Sequence, residues 1–161
     1  MDRLKKATQG REDEEVFMTS ASPGVIARFL PNQYCDSEEA YLYALADVIK
    51  DEYNAVVDAG FLLQIDCPDL ASSLNTQFGH LIVDEFKKIV ELHIEVLNHA
   101  LAGIPPERLR MHLFWGNFEG PHIQMCPSEI SWISFSKPVP PGSRSMELIL
   151  AMSTSGRYGR T

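Results

Sequence analysis

Hydrophobic positions along the chain follow two rhythms. Large apolar residues recur at helical spacing through Tyr41, Leu42, Leu45, Val48, Ile49, Val56 and Val57. They do so again from about Ile82 to Leu101, through Val83, Phe86, Ile89, Val90, His93, Val96 and Leu97. Spacings of three and four residues are the mark of an amphipathic helix. Asp36, with Glu39 three residues on, is the expected cap of the first helix, and Gly60 its stop. Gly103, Pro105 and Pro106 end the second. Between them, Phe61 to Asp66 is almost continuously apolar, which predicts a strand covered on both faces. Leu109, Met111, Leu113 and Trp115 alternate with other residues, the period of a half-buried strand. Glu15 to Thr19 is a shorter strand candidate, followed by a Ser20–Gly24 turn with free backbone N–H groups and an apolar piece, Val25 to Leu30.

The pattern therefore predicts strands near 15–19, 61–66 and 109–115 and helices near 37–59 and 82–102. A β-α-β-α-β order with short connections implies parallel strands and right-handed crossovers. Residues 1–14 read as a polar arm or frayed helix end, and Ala71 to Gly79 as a polar linker. No internal repeat is visible.

Charge and composition narrow the function class. The 161 residues carry a net charge of −8, and no basic face is visible for phosphate contacts, which argues against nucleic-acid binding. Lys5-Lys6 and Lys87-Lys88 read as solvated faces. Cys35, Cys67 and Cys126 are odd in number and widely spaced, which fits a reducing compartment without a disulfide framework. The charged start of the chain does not resemble a signal peptide. No stretch approaches the roughly 18 apolar residues of a membrane span. A cytoplasmic protein that engages neither nucleic acid nor membrane is expected.

The candidate chemistry lies at strand ends. His112 sits inside the last strand, on the face opposite Met111 and Leu113. The strand then breaks into Gly116-Asn117 and Gly120-Pro121, and such junctions are where α/β proteins place ligands. Spacing alone makes His112 a hydrogen-bonded core histidine. His93, on the apolar stripe of the second long helix, is likewise expected to be packed and hydrogen-bonded rather than a ligand.

Two segments resemble the catalytic barrel of the cobalamin-independent methionine synthase family. Gln64-Ile65-Asp66-Cys67-Pro68-Asp69-Leu70 is similar to the family's Q-I-D-E-P-A-L, and His112-Leu113-Phe114-Trp115-Gly116-Asn117-Phe118 to its H-x-C-Y-S-N-F. Weaker similarity at Phe17 to Val25 and Asn117 to His122 points to the shorter methionine-synthase-like proteins. The resemblance implies an α/β fold, a partial (β/α)8 TIM-type barrel holding its middle strands, with residues 15–122 as that unit. It also implies zinc as cofactor, with a small thiol such as homocysteine and a folate-type methyl donor as reactants. A cation beside a thiol whose pKa is about 8.5 stabilises the nucleophilic thiolate. By the same resemblance His112 is the metal ligand, and Asp66 and Asn117 bind substrate; no catalytic residue is assigned.

The chain departs from the family pattern at three places. Phe114 stands where the family has a cysteine ligand, and Cys67 and Asp69 replace a glutamate and an alanine. A typical barrel takes about 250 residues, so the expectation is a fragment that is impaired as an enzyme. The alternative class is a non-catalytic β/α module that binds a small molecule or a partner. A redox sensor built on Cys35 and Cys67 is a third.

Beyond His122 the character changes. Pro127, Pro138, Pro140, Pro141 and Gly142 crowd together, and Ser145 to Thr161 shows no helix or strand pattern. Codons compatible with Met146–Thr161 and Gln124–Ser128, read one base earlier, permit strings resembling what relatives carry after E-G-P-H. Residues 123–161 are therefore expected to be an out-of-frame, disordered tail. One lost nucleotide or a misplaced splice junction near His122 would produce it.

Overall fold

A computed structural model describes residues 1–11, 15–114 and 147–151, with the backbone alone at 75, 114 and 147–151. Its elements are α1 (Asp2–Ala7), β1 (Phe17–Ala21), α2 (Pro23–Phe29), α3 (Glu38–Asp58), β2 (Leu62–Asp66), α4 (Ser73–Thr76), α5 (Val83–Ala100), β3 (Leu109–Phe114) and β4 (Glu147–Ala151). Single 3₁₀ turns at Pro68–Leu70 and Pro106–Arg108 complete the path. The fold is α/β. All strands are parallel and lie side by side in chain order, β1-β2-β3-β4. No helix among the described residues is long and apolar enough to cross a membrane.

The two long helices fall within two residues of their predicted boundaries, with local differences. Ser37, not Asp36, caps α3: its Oγ accepts from the Ala40 N–H at 3.0 Å. A serine hydroxyl reaches that N–H as well as a carboxylate does. Gly60, at φ +95°, follows the helix end and takes the left-handed conformation that any side chain would strain. At the start of α5, Glu85 accepts from the Ile82 N–H at 3.2 Å, satisfying one of the orphan donors of the first turn. Ser20–Gly24 is not a turn with free N–H groups. Ser22 instead caps α2, accepting from the Val25 N–H at 3.1 Å, with Pro23 in the first helical position.

One core forms between the sheet and the helices. Leu42, Ala46, Tyr53 and Val56 of α3 and Phe86, Val90, Ile94, Val96 and Leu97 of α5 close on Leu63 and Ile65 of β2 and Met111 and Leu113 of β3. Each such aliphatic or aromatic side chain contributes on the order of 1.5–3 kcal/mol when fully buried. Val48, expected on the buried stripe of α3, is 74% exposed. A run of predicted stripe positions wider than the contact leaves its margin in water.

Two expectations fail in the middle of the chain. In β2 only alternate residues are buried: Leu63 and Ile65 face the helices, whereas Leu62, Gln64 and Asp66 are only partly covered. The helical layer thus covers one face of the strand, although apolar composition suggested two. The supposed linker also belongs to the core, since Ala71, Ser72, Ser73 and Leu74 are buried. The hydroxyls of Ser72 and Ser73 bond the main-chain oxygens of Pro68 and Asp69, so the serines enter without stranded polar groups.

The remaining difference lies in the C-terminal region. Residues 147–151, expected to be unstructured, run parallel beside β3 with His112 opposite Ile149 and Phe114 opposite Ala151. Glu147-Leu148-Ile149-Leu150-Ala151 supplies three consecutive large aliphatics, a run suited to a strand in a parallel sheet. The other residues of the 123–161 segment lie outside the described residues.

Candidate functional site at the ends of the strands

Parallel strands in register bring their C-terminal ends to one edge. Ala21 pairs with Asp66, and Asp66 with His112. The three residues form one row on the sheet face away from the helices, as expected for His112 from the burial of Met111 and Leu113. A row below, Thr19, Gln64 and Arg110 are in register, and the Gln64 amide donates to the Thr19 hydroxyl at 3.2 Å. Arg110 reaches Glu15 at 2.7 Å and lies 5.6 Å from the Phe17 ring centroid. This face is polar where the helix-covered face is apolar.

Asp66 and His112 meet directly. Nδ1 of His112 lies 2.5 Å from Oδ1 of Asp66, with side chains 27% and 36% exposed respectively. The carboxylate accepts and the ring nitrogen donates. Such a bond orients the imidazole and fixes which ring nitrogen carries the proton. Ala21, at the same level, contributes only a methyl group to this row. Main-chain bonds hold the edge in place: Ser22 N–H to the Asp66 oxygen at 3.1 Å, and Cys67 N–H to the His112 oxygen at 2.9 Å.

Behind this edge, on the helix side, is a second group of polar residues. Asp69 is 2% exposed, and both its carboxylate oxygens are engaged. Oδ1 accepts from the Ser22 hydroxyl at 2.7 Å, and Oδ2 lies 2.8 Å from His93 Nδ1. His93, 10% exposed, is the packed, hydrogen-bonded histidine its place on the α5 stripe predicted. Gly24 is pressed against this pair: a Cβ built on it would collide with both the Asp69 carboxylate and the His93 ring.

Cys67 is fully buried between the two groups. Burial pushes its thiol well above the ordinary cysteine range, and the neighbouring Asp69 and Asp66 charges push it further. A thiol kept protonated is a poor nucleophile and a poor redox sensor. That weakens the redox reading of Cys35 and Cys67.

The described residues do not assemble a zinc site. None of their His, Cys, Asp and Glu side chains form a group of three suited to a metal ion, whereas a catalytic zinc takes three protein ligands. His112 is bonded through Nδ1 to Asp66, and Phe114, which ends β3 two residues later, has no donor atom. Asn117 lies outside the described residues, so its expected proximity to the pair does too. Sequence reasoning brought Asp66 and His112 together correctly but missed Ser22, Gly24 and Asp69. Asp69 was visible only as a departure from a motif. The available signal was His93 itself, since a polar ring on an apolar stripe needs a buried partner.

Compared with protein-family models, with curated proteins and with solved structures, the chain finds no match in any of the three.

Proposed function

We propose that this chain is a wall of a methionine-synthase-type barrel whose Asp66–His112 edge binds a small amino-acid thiol such as homocysteine. The observation that carries the reading is the 2.5 Å contact between Asp66 and His112 at the C-terminal edge of neighbouring parallel strands. Strand ends of this kind are where barrel enzymes hold their substrates. Topology gives support: consecutive parallel strands in chain order, with the helical core on one face, are what a barrel wall presents. The partly exposed Asp66 carboxylate is suited to a substrate ammonium group.

The family chemistry would add a zinc-held thiolate attacking a folate-borne methyl group. The donor set here does not support that step, because the position of the soft ligand is Phe114. That residue favours the second reading, a non-catalytic small-molecule module, for the chain as it stands.

Calorimetric titration separates the two. Homocysteine is expected to bind the unmodified chain, and Asp66→Asn to abolish that binding. Zinc is expected to bind weakly, and Phe114→Cys to tighten it by roughly tenfold or more, about 1.4 kcal/mol. Tight stoichiometric zinc in the unmodified chain would restore the enzyme reading. Homocysteine binding indifferent to Asp66→Asn would remove the amino-acid thiol from this site.

A further inference from the structure

We infer that Ser22, Asp69 and His93 form a buried clamp that sets the position of Asp66, and through it the Asp66–His112 bond. This rests on reading Asp66 and His112 as the ligand-binding pair. The three are positioning residues: they lie on the helix side of the sheet, away from the face where a ligand would sit.

The connection runs through bonds already described. The Asp66–Cys67 peptide is gripped from both sides, by the Ser22 N–H on its oxygen and the His112 carbonyl on its N–H. Ser22 can hold its half of that grip only if the β1–α2 junction stays fixed. Its hydroxyl is committed twice, accepting from the Val25 N–H and donating to Asp69 Oδ1. Asp69 follows Asp66 by three residues and is anchored to α5 through His93. The loop leaving β2 is therefore tied to the end of β1 and to α5 at one buried carboxylate. The absence of a side chain at Gly24 lets α2 approach closely enough for this to happen.

The ordinary alternative is that the trio only stabilises the fold. A buried Asp–His pair does not by itself argue for stability, because desolvation offsets much of its attraction. What distinguishes the trio is its covalent and hydrogen-bonded path to Asp66.

The test uses the full chain and reads the His112 Nδ1 proton by NMR at one fixed pH. A proton shared with a carboxylate at short distance resonates far downfield. In Ser22→Ala and in Asp69→Asn that resonance is expected to move upfield and to broaden. Homocysteine affinity is expected to fall about tenfold, the usual scale for loss of an outer hydrogen-bond partner. Ser37→Ala, which removes the distant α3 cap, serves as the control: it should lower the melting temperature and leave the resonance in place. If the resonance stays put in folded Ser22→Ala or Asp69→Asn protein, the clamp does not position Asp66. If neither variant folds, the trio is required by the fold itself and the positioning role is withdrawn. A moved resonance in a chain that never binds homocysteine would uphold the clamp and defeat the proposed ligand instead.

Discussion

Gly24 shows how much a single position can decide. Its lack of a Cβ is a packing requirement, because the space a methyl group would need is filled by the Asp69 carboxylate and the His93 ring. Gly24→Ala is expected to cost roughly 1–3 kcal/mol, the range for overpacking a well-filled interior, measured as a lowered urea midpoint. An unchanged midpoint would mean that the pair can shift aside at no cost. Cys67 and Tyr53 make a second residue-scale prediction, about pH. Burial raises both groups above their ordinary ranges, Cys67 further by the Asp69 and Asp66 charges and Tyr53 by neighbouring Cys67, Glu52 and Asp69. A raised folded pKa means stability that is complete below the unfolded pKa and lost as pH rises toward the folded one. The unfolded thiol ionises near 8.5 and the unfolded phenol near 10, so stability is expected to hold to about pH 8 and decline above it. The slope approaches about 1.4 kcal/mol per pH unit for each group. Urea titrations at pH 7, 9 and 10 would show this, and Cys67→Ala should remove the earlier part of the decline. A decline that begins below pH 8 would point to other groups.

Individual elements owe their limits to short-range chemistry and their orientation to longer contacts. Tyr53 illustrates both: it lies on the buried side of α3, and its hydroxyl donates to the Ala21 oxygen at 2.6 Å. It thereby ties the long helix to the end of β1, one residue before Ser22. Tyr53→Phe keeps the ring and removes the donor, leaving the Ala21 oxygen short of a partner. The expected loss is about 1–1.5 kcal/mol by thermal unfolding. A loss near zero would show that water takes the place of the hydroxyl. Ser37→Ala is expected to cost about 1 kcal/mol for its cap. Ser37→Ala should leave the zinc and homocysteine titrations unchanged, since Ser37 bonds the first turn of α3 and not the strand ends.

At the scale of the molecule, the described residues cover the sheet with the helical core on one side, whereas parallel sheets are normally covered on both. Among the described residues β1 is one of the two edge strands, with Phe17 45% and Met18 36% exposed. Phe17–Ala21 carries no charge or proline to discourage pairing with another chain. Concentration-dependent self-association and a broad thermal transition are therefore expected. Sedimentation across a hundredfold range of concentration would measure the first, and Met18→Lys should reduce it. A monomer with a sharp transition at every concentration would mean that the polar face and the β1 edge are satisfied within this chain.

Local patterns in the sequence determined the elements because they depend on neighbours a few residues apart. The 3.6-residue stripe of Phe86, Val90 and Leu97, the alternation of Leu109, Met111 and Leu113, and the stop at Gly60 each act over one or two turns of chain. The parallel order followed from helices joining the strands, and with it the meeting of Asp66 and His112. Tertiary structure decided what depends on distant partners. Asp69 could be recognised as a buried acceptor only once Ser22 and His93, 47 and 24 residues away in sequence, had converged on it. Phe61–Asp66 reads as almost continuously apolar, yet only packing against α3 and α5 selected the face that carries Leu63 and Ile65. The serines after Leu70 looked like surface because composition registers their hydroxyls but not the main-chain oxygens that receive them. A contact between residues far apart along the chain leaves no periodic trace in either segment, so it becomes visible only when the fold brings the two together.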